Sequence, residues 1–191
     1  MTTGEHVPES KGSAASTLLR VAALVATVGV LTFALRTFVF VPYEIPSGSM
    51  ETTIMTGDMV FSEKVSYYLR QPARGDIVTF ADPDVAGRTL IKRVIATGGQ
   101  TVDIIDGKML IDGEELDEPY TNGLPSYPLN RQAPGTVVEF PYTVPEGYVW
   151  VMGDNRTSSQ DSRYFGAIPV NSISGRAAFV YWPVKDVGAL S

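Results

Sequence analysis

The sequence predicts a mainly β protein: an antiparallel β-sheet domain preceded by a single N-terminal transmembrane helix. Three observations carry this prediction. From Val21 to Val41 the chain is apolar apart from a few Thr and Gly and the single charge Arg36; at a rise of about 1.5 Å per residue such a run crosses the roughly 30 Å of a bilayer core. After Pro42 the pattern changes to short runs of alternating apolar and polar residues separated by turn formers, which is the period of a half-buried strand. No strong amphipathic helical pattern follows the apolar run.

Taken in chain order, residues 1–16 are rich in Gly, Ser, Thr and Glu and read as a disordered cytoplasmic tail. Residues 17–41 read as the transmembrane anchor. Arg20 and Arg36 bracket 15 uncharged residues and can extend toward the two interfaces. A cleavable secretory leader is the rival reading, because a basic residue also precedes its hydrophobic run. Here the run continues into Arg36-Thr37-Phe38-Val39-Phe40-Val41-Pro42 with no small-x-small cleavage pattern, which favours a retained anchor. Lys11 and Arg20 ahead of the run point to a cytoplasmic N-terminus, and to residues 42–191 as an exported domain on the extracytoplasmic face of the cell membrane.

Within that domain, strands are expected over residues 58–62, 76–81, 89–96, 101–105, 108–111, 135–140, 148–152 and 175–182. Asp106-Gly107 between two apolar runs is the signature of a type I′ hairpin. Glu118 to Pro134, with four prolines and little periodicity, reads as a long surface loop, a solvated excursion rather than a cover over a cleft.

Composition removes several functions before any motif is considered. The chain of 191 residues, 44% hydrophobic, has room for one anchor and one domain of roughly 150 residues. From Val41 onward 12 Lys and Arg face 19 Asp and Glu, a balance of 12 − 19 = −7, and an acidic domain without a basic stripe argues against a nucleic-acid partner. There is no cysteine, and the one histidine, His6, lies in the tail beyond the apolar run. A thiol nucleophile, a disulfide framework, a Cys or His zinc site and a Ser-His-Asp triad in the globular part are all removed. No metal or other cofactor is expected.

The chemistry left is that of Ile45-Pro46-Ser47-Gly48-Ser49-Met50, just past the apolar run, and of Leu90-Ile91-Lys92-Arg93. A serine on a Gly-containing turn, with a lysine among apolar neighbours, suggests a nucleophile whose base is an amine, and so a membrane-tethered serine-lysine hydrolase. Further blocks follow in order: Gly57-Asp58, Gly75-Asp76-Ile77-Val78, Ile91-Lys92-Arg93-Val94-Ile95, and Gly153-Asp154-Asn155-Arg156 continuing to Asp161-Ser162-Arg163. With these blocks, from about Phe38 to Pro183, the chain resembles the bacterial type I signal peptidases, membrane-bound enzymes that remove signal peptides from exported preproteins. Thr52 stands where that family often has Pro, and Gly98-Gly99-Gln100 where Pro-Gly and an acidic residue are common. Both departures touch turn stiffness rather than a reacting group.

The resemblance implies a set of roles. Ser49 becomes the nucleophile and Lys92 its general base. A free lysine has a pKa near about 10.4, whereas a useful base needs roughly 7 to 8, so burial among Leu90, Ile91, Val94 and Ile95 has to disfavour the ammonium. The Ser47 hydroxyl and the Ser49 backbone N–H become the oxyanion donors, and Ser159 the hydroxyl that orients the lysine amine. Arg93, Asp154, Arg156, Asp161 and Arg163 become a supporting polar network. Ile45, Pro46, Met50, Ile54, Leu90 and Ile91 become the lining of shallow pockets for small residues before the cut, with the substrate laid along a strand edge. The expected partners are preproteins bearing signal peptides and the lipid bilayer. Two other readings compete: a relative of the self-cleaving SOS repressors, disfavoured by the anchor and the missing DNA-binding helix pair, and an inactive binding module that keeps only the groove, disfavoured by Ser49, Lys92 and Ser159 occurring together.

Overall fold

A computed structural model describes residues 13–190, in two units that meet at Phe38 and Val39. The first is helix α1, Ser13–Phe38. Its stretch Ala14–Thr37 has a mean hydropathy of 2.2 and exposes its side chains, and it is long and apolar enough to cross a membrane. With no polar side to turn to water, such a helix is suited to lipid. Residues 1–12 of the expected tail, Lys11 included, lie outside the described residues, and 13–16 form the first turn of α1. The helix ends before Phe40, which opens a strand instead.

The second unit is the expected antiparallel β domain. Its strands are β1 Phe40–Glu44, β2 Met59–Glu63, β3 Ile77–Ala81, β4 Thr89–Thr97, β5 Thr101–Ile105, β6 Lys108–Ile111, β7 Glu114–Glu115, β8 Tyr142–Thr143, β9 Tyr148–Met152, β10 Ile168–Pro169, β11 Ile173–Trp182 and β12 Gly188–Ala189. Two short helices, α2 Val65–Leu69 and α3 Ser162–Phe165, interrupt them. The larger sheet runs β1-β2-β11-β3-β4-β9-β10 with β12 against β11, and the smaller runs β7-β6-β5-β8. The predicted hairpin joins β5 to β6, with φ of 51° at Asp106 and 82° at Gly107 as a type I′ turn requires.

Two differences from the sequence reading have physical causes. β1 carries Pro42 yet is a strand, because it lies at the sheet edge and pairs with β2 alone; an edge strand has no ladder bond for the missing N–H to break. Residues 135–140 are not a strand. There the side-chain amide of Gln132 takes a strand partner's place, donating to Val138 O at 2.7 Å and accepting from Val138 N at 3.0 Å.

β3 shows why the larger sheet is well fixed. Ile77, Val78, Thr79 and Phe80 are all buried, so both faces are covered. Ile77 packs with Ile45, Met50, Ile54, Val60, Ala177 and Val180. Val78 and Phe80 pack on the other side with Val94, Val149, Val151 and Phe165. A third cluster around Trp150, Met109 and Val102 joins the smaller sheet to β4 and β9. β4 therefore touches every layer, and it is the strand that carries Lys92 and Arg93.

Candidate active site

Ser49 sits in a single 3₁₀ turn, Gly48–Met50, entered through extended backbone at Ser47. Met50 is fully buried below it, which fixes the turn to the sheet. The turn is held from the other side by Asn155, whose N–H donates to Ser49 O at 3.2 Å and whose side-chain amide donates to Gly48 O at 3.0 Å. Gly153 lies against the same carbonyl. A Cβ there would fall 2.3 Å from Ser49 O and 2.4 Å from Ser159 Oγ, so only glycine admits the approach.

Lys92 comes to this turn from the middle of β4. Side chains alternate along a strand, so Lys92 shares a face with Leu90 and Val94 and stands opposite Val78. Ile91 and Ile95, expected to flank the amine, belong to the other face; Ile91 contributes its carbonyl instead. Lys92 Nζ lies 2.7 Å from Ser49 Oγ and 3.0 Å from Ile91 O. The residue is only 3% exposed. Burial lowers its pKa to about 8, against the upward pull of Asp161, Asp154 and Asp82 and with a smaller downward push from Arg88. An amine so placed exists partly in neutral form near neutral pH, and it points its lone pair or its hydrogens at one hydroxyl.

The five charged residues expected to support the site form buried pairs around the 153–163 loop. The Arg93 guanidinium forks onto Asp154, with Nε–Oδ1 at 2.9 Å and Nη2–Oδ2 at 2.8 Å, and Thr53 Oγ1 donates to Asp154 Oδ2 at 2.6 Å. Arg163 forks onto Asp161 at 2.9 Å on both oxygens and also donates to Arg156 O, while Asp161 Oδ2 accepts from Gly153 N. Arg156 reaches Gly153 O, Ser126 Oγ and both carboxylate oxygens of Glu118. Such planar two-pronged pairs fix geometry as well as charge.

The loop over residues 118–134 is thereby corrected from a solvated excursion to part of this framework. Glu118 and Ser126 hold Arg156, Tyr127 O accepts from Arg163, and Ala133 N donates to Tyr164 O. The Tyr120 ring lies under the Arg93 guanidinium, 4.1 Å from its centre. Asn122 donates to Thr52 Oγ1 at 2.6 Å, one turn beyond Ser49.

Of the remaining expected residues, Ser47 is exposed and lines the same cavity of about 280 Å³ as Ser49, Lys92 and Leu90. Ser159 is 9% exposed, and its hydroxyl makes no hydrogen bond among the described residues. Ile45, Pro46, Leu90 and Ile91 line a second cavity of about 30 Å³ together with Tyr43 and Thr79. Met50 and Ile54 line neither cavity: both are 0% exposed and belong to the core under the turn. The sequence reading passed over Asn155, Thr53, Glu118, Tyr120, Asp82 and Arg88. Asn155 stood inside the Gly153-Asp154-Asn155-Arg156 block; Thr53, Glu118 and Tyr120 carried no signal because their partners are distant along the chain. Asp82 and Arg88 pair with each other six residues apart and are tied to the site only through the cavity they share with Lys92.

β4 leaves one flank open beside these cavities. Residues 89–93 pair with β3 on one side, but pairing with β9 begins only at Arg93. The stretch from Thr89 to Lys92 thus faces the Pro46-Ser47 segment across a gap, with no strand among the described residues between them.

Fold and site together combine a β-sheet scaffold, a hydroxyl on a rigid turn and a buried amine in contact with it. The signal peptidase family, peptidase S26, matches residues 18–182, and the chain belongs to that family. Among its relatives, a probable signal peptidase I-1 of Synechocystis sp. is 41% identical over 168 residues, covering 84% of this chain and 81% of that protein. The signal peptidase I of Mycobacterium tuberculosis is 35% identical, covering 95% of this chain and 78% of its own length. A solved signal peptidase I structure from Enterococcus faecalis V583 is 36% identical and aligns with a TM-score of 0.45 over 56% of this chain and 97% of that one. The chain is therefore a peptidase of the signal peptidase class.

Proposed function

We propose that this chain is a membrane-bound serine endopeptidase that removes N-terminal signal peptides from exported preproteins, with Ser49 as nucleophile and Lys92 as general base. The observation that carries the reading is the 2.7 Å contact between Lys92 Nζ and Ser49 Oγ at a buried amine. The neutral amine takes the hydroxyl proton as Ser49 Oγ attacks the scissile carbonyl, and the ammonium so formed returns it to the departing amine. Water then attacks the acyl-enzyme with Lys92 again as base. The Ser49 N–H and the Ser47 hydroxyl, which makes no capping bond of its own, serve the oxyanion; one such donor is typically worth about 3 kcal/mol. Ser159, buried beside Gly153 with its hydroxyl unpartnered among the described residues, orients the amine by a turn of its side chain. Arg93, Asp154, Arg156, Asp161 and Arg163 hold the loop beneath them.

The substrate adds a strand to the open flank of β4, placing a small side chain in the cavity beside Ile45, Leu90 and Ile91. That cavity, about 30 Å³, exceeds the roughly 10–15 Å³ that one water needs, and admits a small side chain. Helix α1 tethers the domain to the membrane, with the N-terminus cytoplasmic as Lys11 and Arg20 favour.

The test is release of a mature N-terminus, read by mass spectrometry, from a preprotein with an A-x-A site incubated with the full-length protein in lipid. Ser49→Ala and Lys92→Ala are each expected to lower kcat by at least about a thousandfold. Full activity in either variant refutes the mechanism.

A further inference from the structure

Three cavities lie in a row across the site, each sharing a wall with the next. Leu90 stands between the small apolar cavity and the one that holds Ser49 and Lys92. Ser158, Gln160 and Tyr164 stand between the latter and a groove of about 510 Å³, whose remaining walls are Leu129, Asn130, Arg131 and Ser159. A strand laid on the open flank of β4, with its scissile carbonyl at Ser49, has its upstream residues on the Leu90 side. Its downstream residues then pass over the Ser158–Gln160 ridge into the third groove.

We propose that this groove binds the first residues of the exported chain beyond the cut, and that Arg131 favours an acidic side chain there; the proposal rests on the peptidase reading above. Three features support it. The loop that forms the far wall is fixed to the active-site loop by Arg156, Arg163 and the Ala133–Tyr164 bond, so the groove keeps its place relative to Ser49. Arg131 is the one charged side chain lining it, and it makes no ion pair with the described residues. The central cavity differs, with Asp82, Asp84, Arg88 and Lys92 on its walls. The exposed amides of Asn130 and Gln160 offer donors and acceptors to a passing main chain. On a domain whose balance from Val41 onward is 12 − 19 = −7, a lone cation in a substrate groove is a local reversal of sign, and rim charges of this kind act on selectivity.

The test compares kcat/KM for preproteins that share one signal segment and carry Glu, Ala or Lys at each of the first few positions after the cut, using full-length enzyme in lipid at low salt. Glu is expected to exceed Lys by roughly two- to fivefold at one or two neighbouring positions, the scale of an exposed ion pair. Arg131→Gln brings the ratio to about one, and Arg131→Glu inverts it. Each variant is judged by two substrates on the same enzyme, so a general loss of activity does not move the ratio. Cleavage with no charge preference, or a preference that both variants keep, overturns the groove assignment and leaves the peptidase reading standing. A wild-type enzyme that cleaves none of the substrates overturns that reading, and the groove with it.

Discussion

In the proposed mechanism Lys92 works only as a neutral amine, so its acid-base balance sets the pH dependence. Burial holds its pKa at about 8; activity therefore rises with pH through that value and falls below it, where the amine is an ammonium with no lone pair to offer. Asp82 and Arg88 form an ion pair at the rim of the same cavity, and they pull the amine in opposite directions. Arg88→Gln removes the cation that disfavours the ammonium and leaves Asp82 unpaired, and both changes favour protonation. The acid limb of kcat/KM should move to higher pH by roughly a few tenths of a unit, given that Arg88 is half exposed. A profile that stays put or moves down contradicts this balance. Ser49 and Lys92 were legible in the sequence because both stand in compact blocks and every imidazole or thiol alternative was missing from the globular part. Asn155 was not, since its hold on Gly48 O and Ser49 O arises only once the 153–163 loop has folded under a turn more than a hundred residues earlier.

The 118–134 loop is the element whose role changed most on folding. Its prolines spoke of a stiff irregular backbone, and they were right; its side chains, however, reach residues whose nearness no local pattern reveals. Arg156 is 1% exposed and takes both oxygens of Glu118. Glu118→Gln leaves that guanidinium buried without its counter-charge, at a cost of about 3 kcal/mol. The expected result is a lower midpoint in denaturant for Glu118→Gln, against a change of under about 0.5 kcal/mol for exposed Asp117→Asn; equal midpoints would show that the loop contributes no hold. The strands were easier to read. Alternation located β2 to β6, β9 and most of β11, because each has one face or both against a core. It failed over residues 135–140, where Gln132 supplies a partner that no strand period encodes, and at β1, where Pro42 hides an edge strand.

At the scale of the whole molecule, the amine that gives the site its chemistry weakens the fold that holds it. The unfolded lysine keeps its proton up to its ordinary value of 10.5 while the folded one gives it up at about 8. The difference, 10.5 − 8 = 2.5 at about 1.36 kcal/mol each, is roughly 3 kcal/mol against the native state. The cost is complete below pH 8 and fades as pH rises toward 10.5, where the unfolded chain loses its proton too. Lys92→Met, apolar and of similar length, should therefore be inactive yet more stable than wild type by about 2 kcal/mol at pH 7, with the advantage shrinking toward pH 10.5. Chemical denaturation at the two ends of that range checks it, and no gain at pH 7 contradicts it. The bare flank of β4 shapes what such a molecule can recognise. Amides are common to every polypeptide, so a surface that meets its guest through them is blind to the guest's identity. On the proposed reading, discrimination falls to side chains at the two ends of the guest: a small apolar recess before the cut and the Arg131 groove after it.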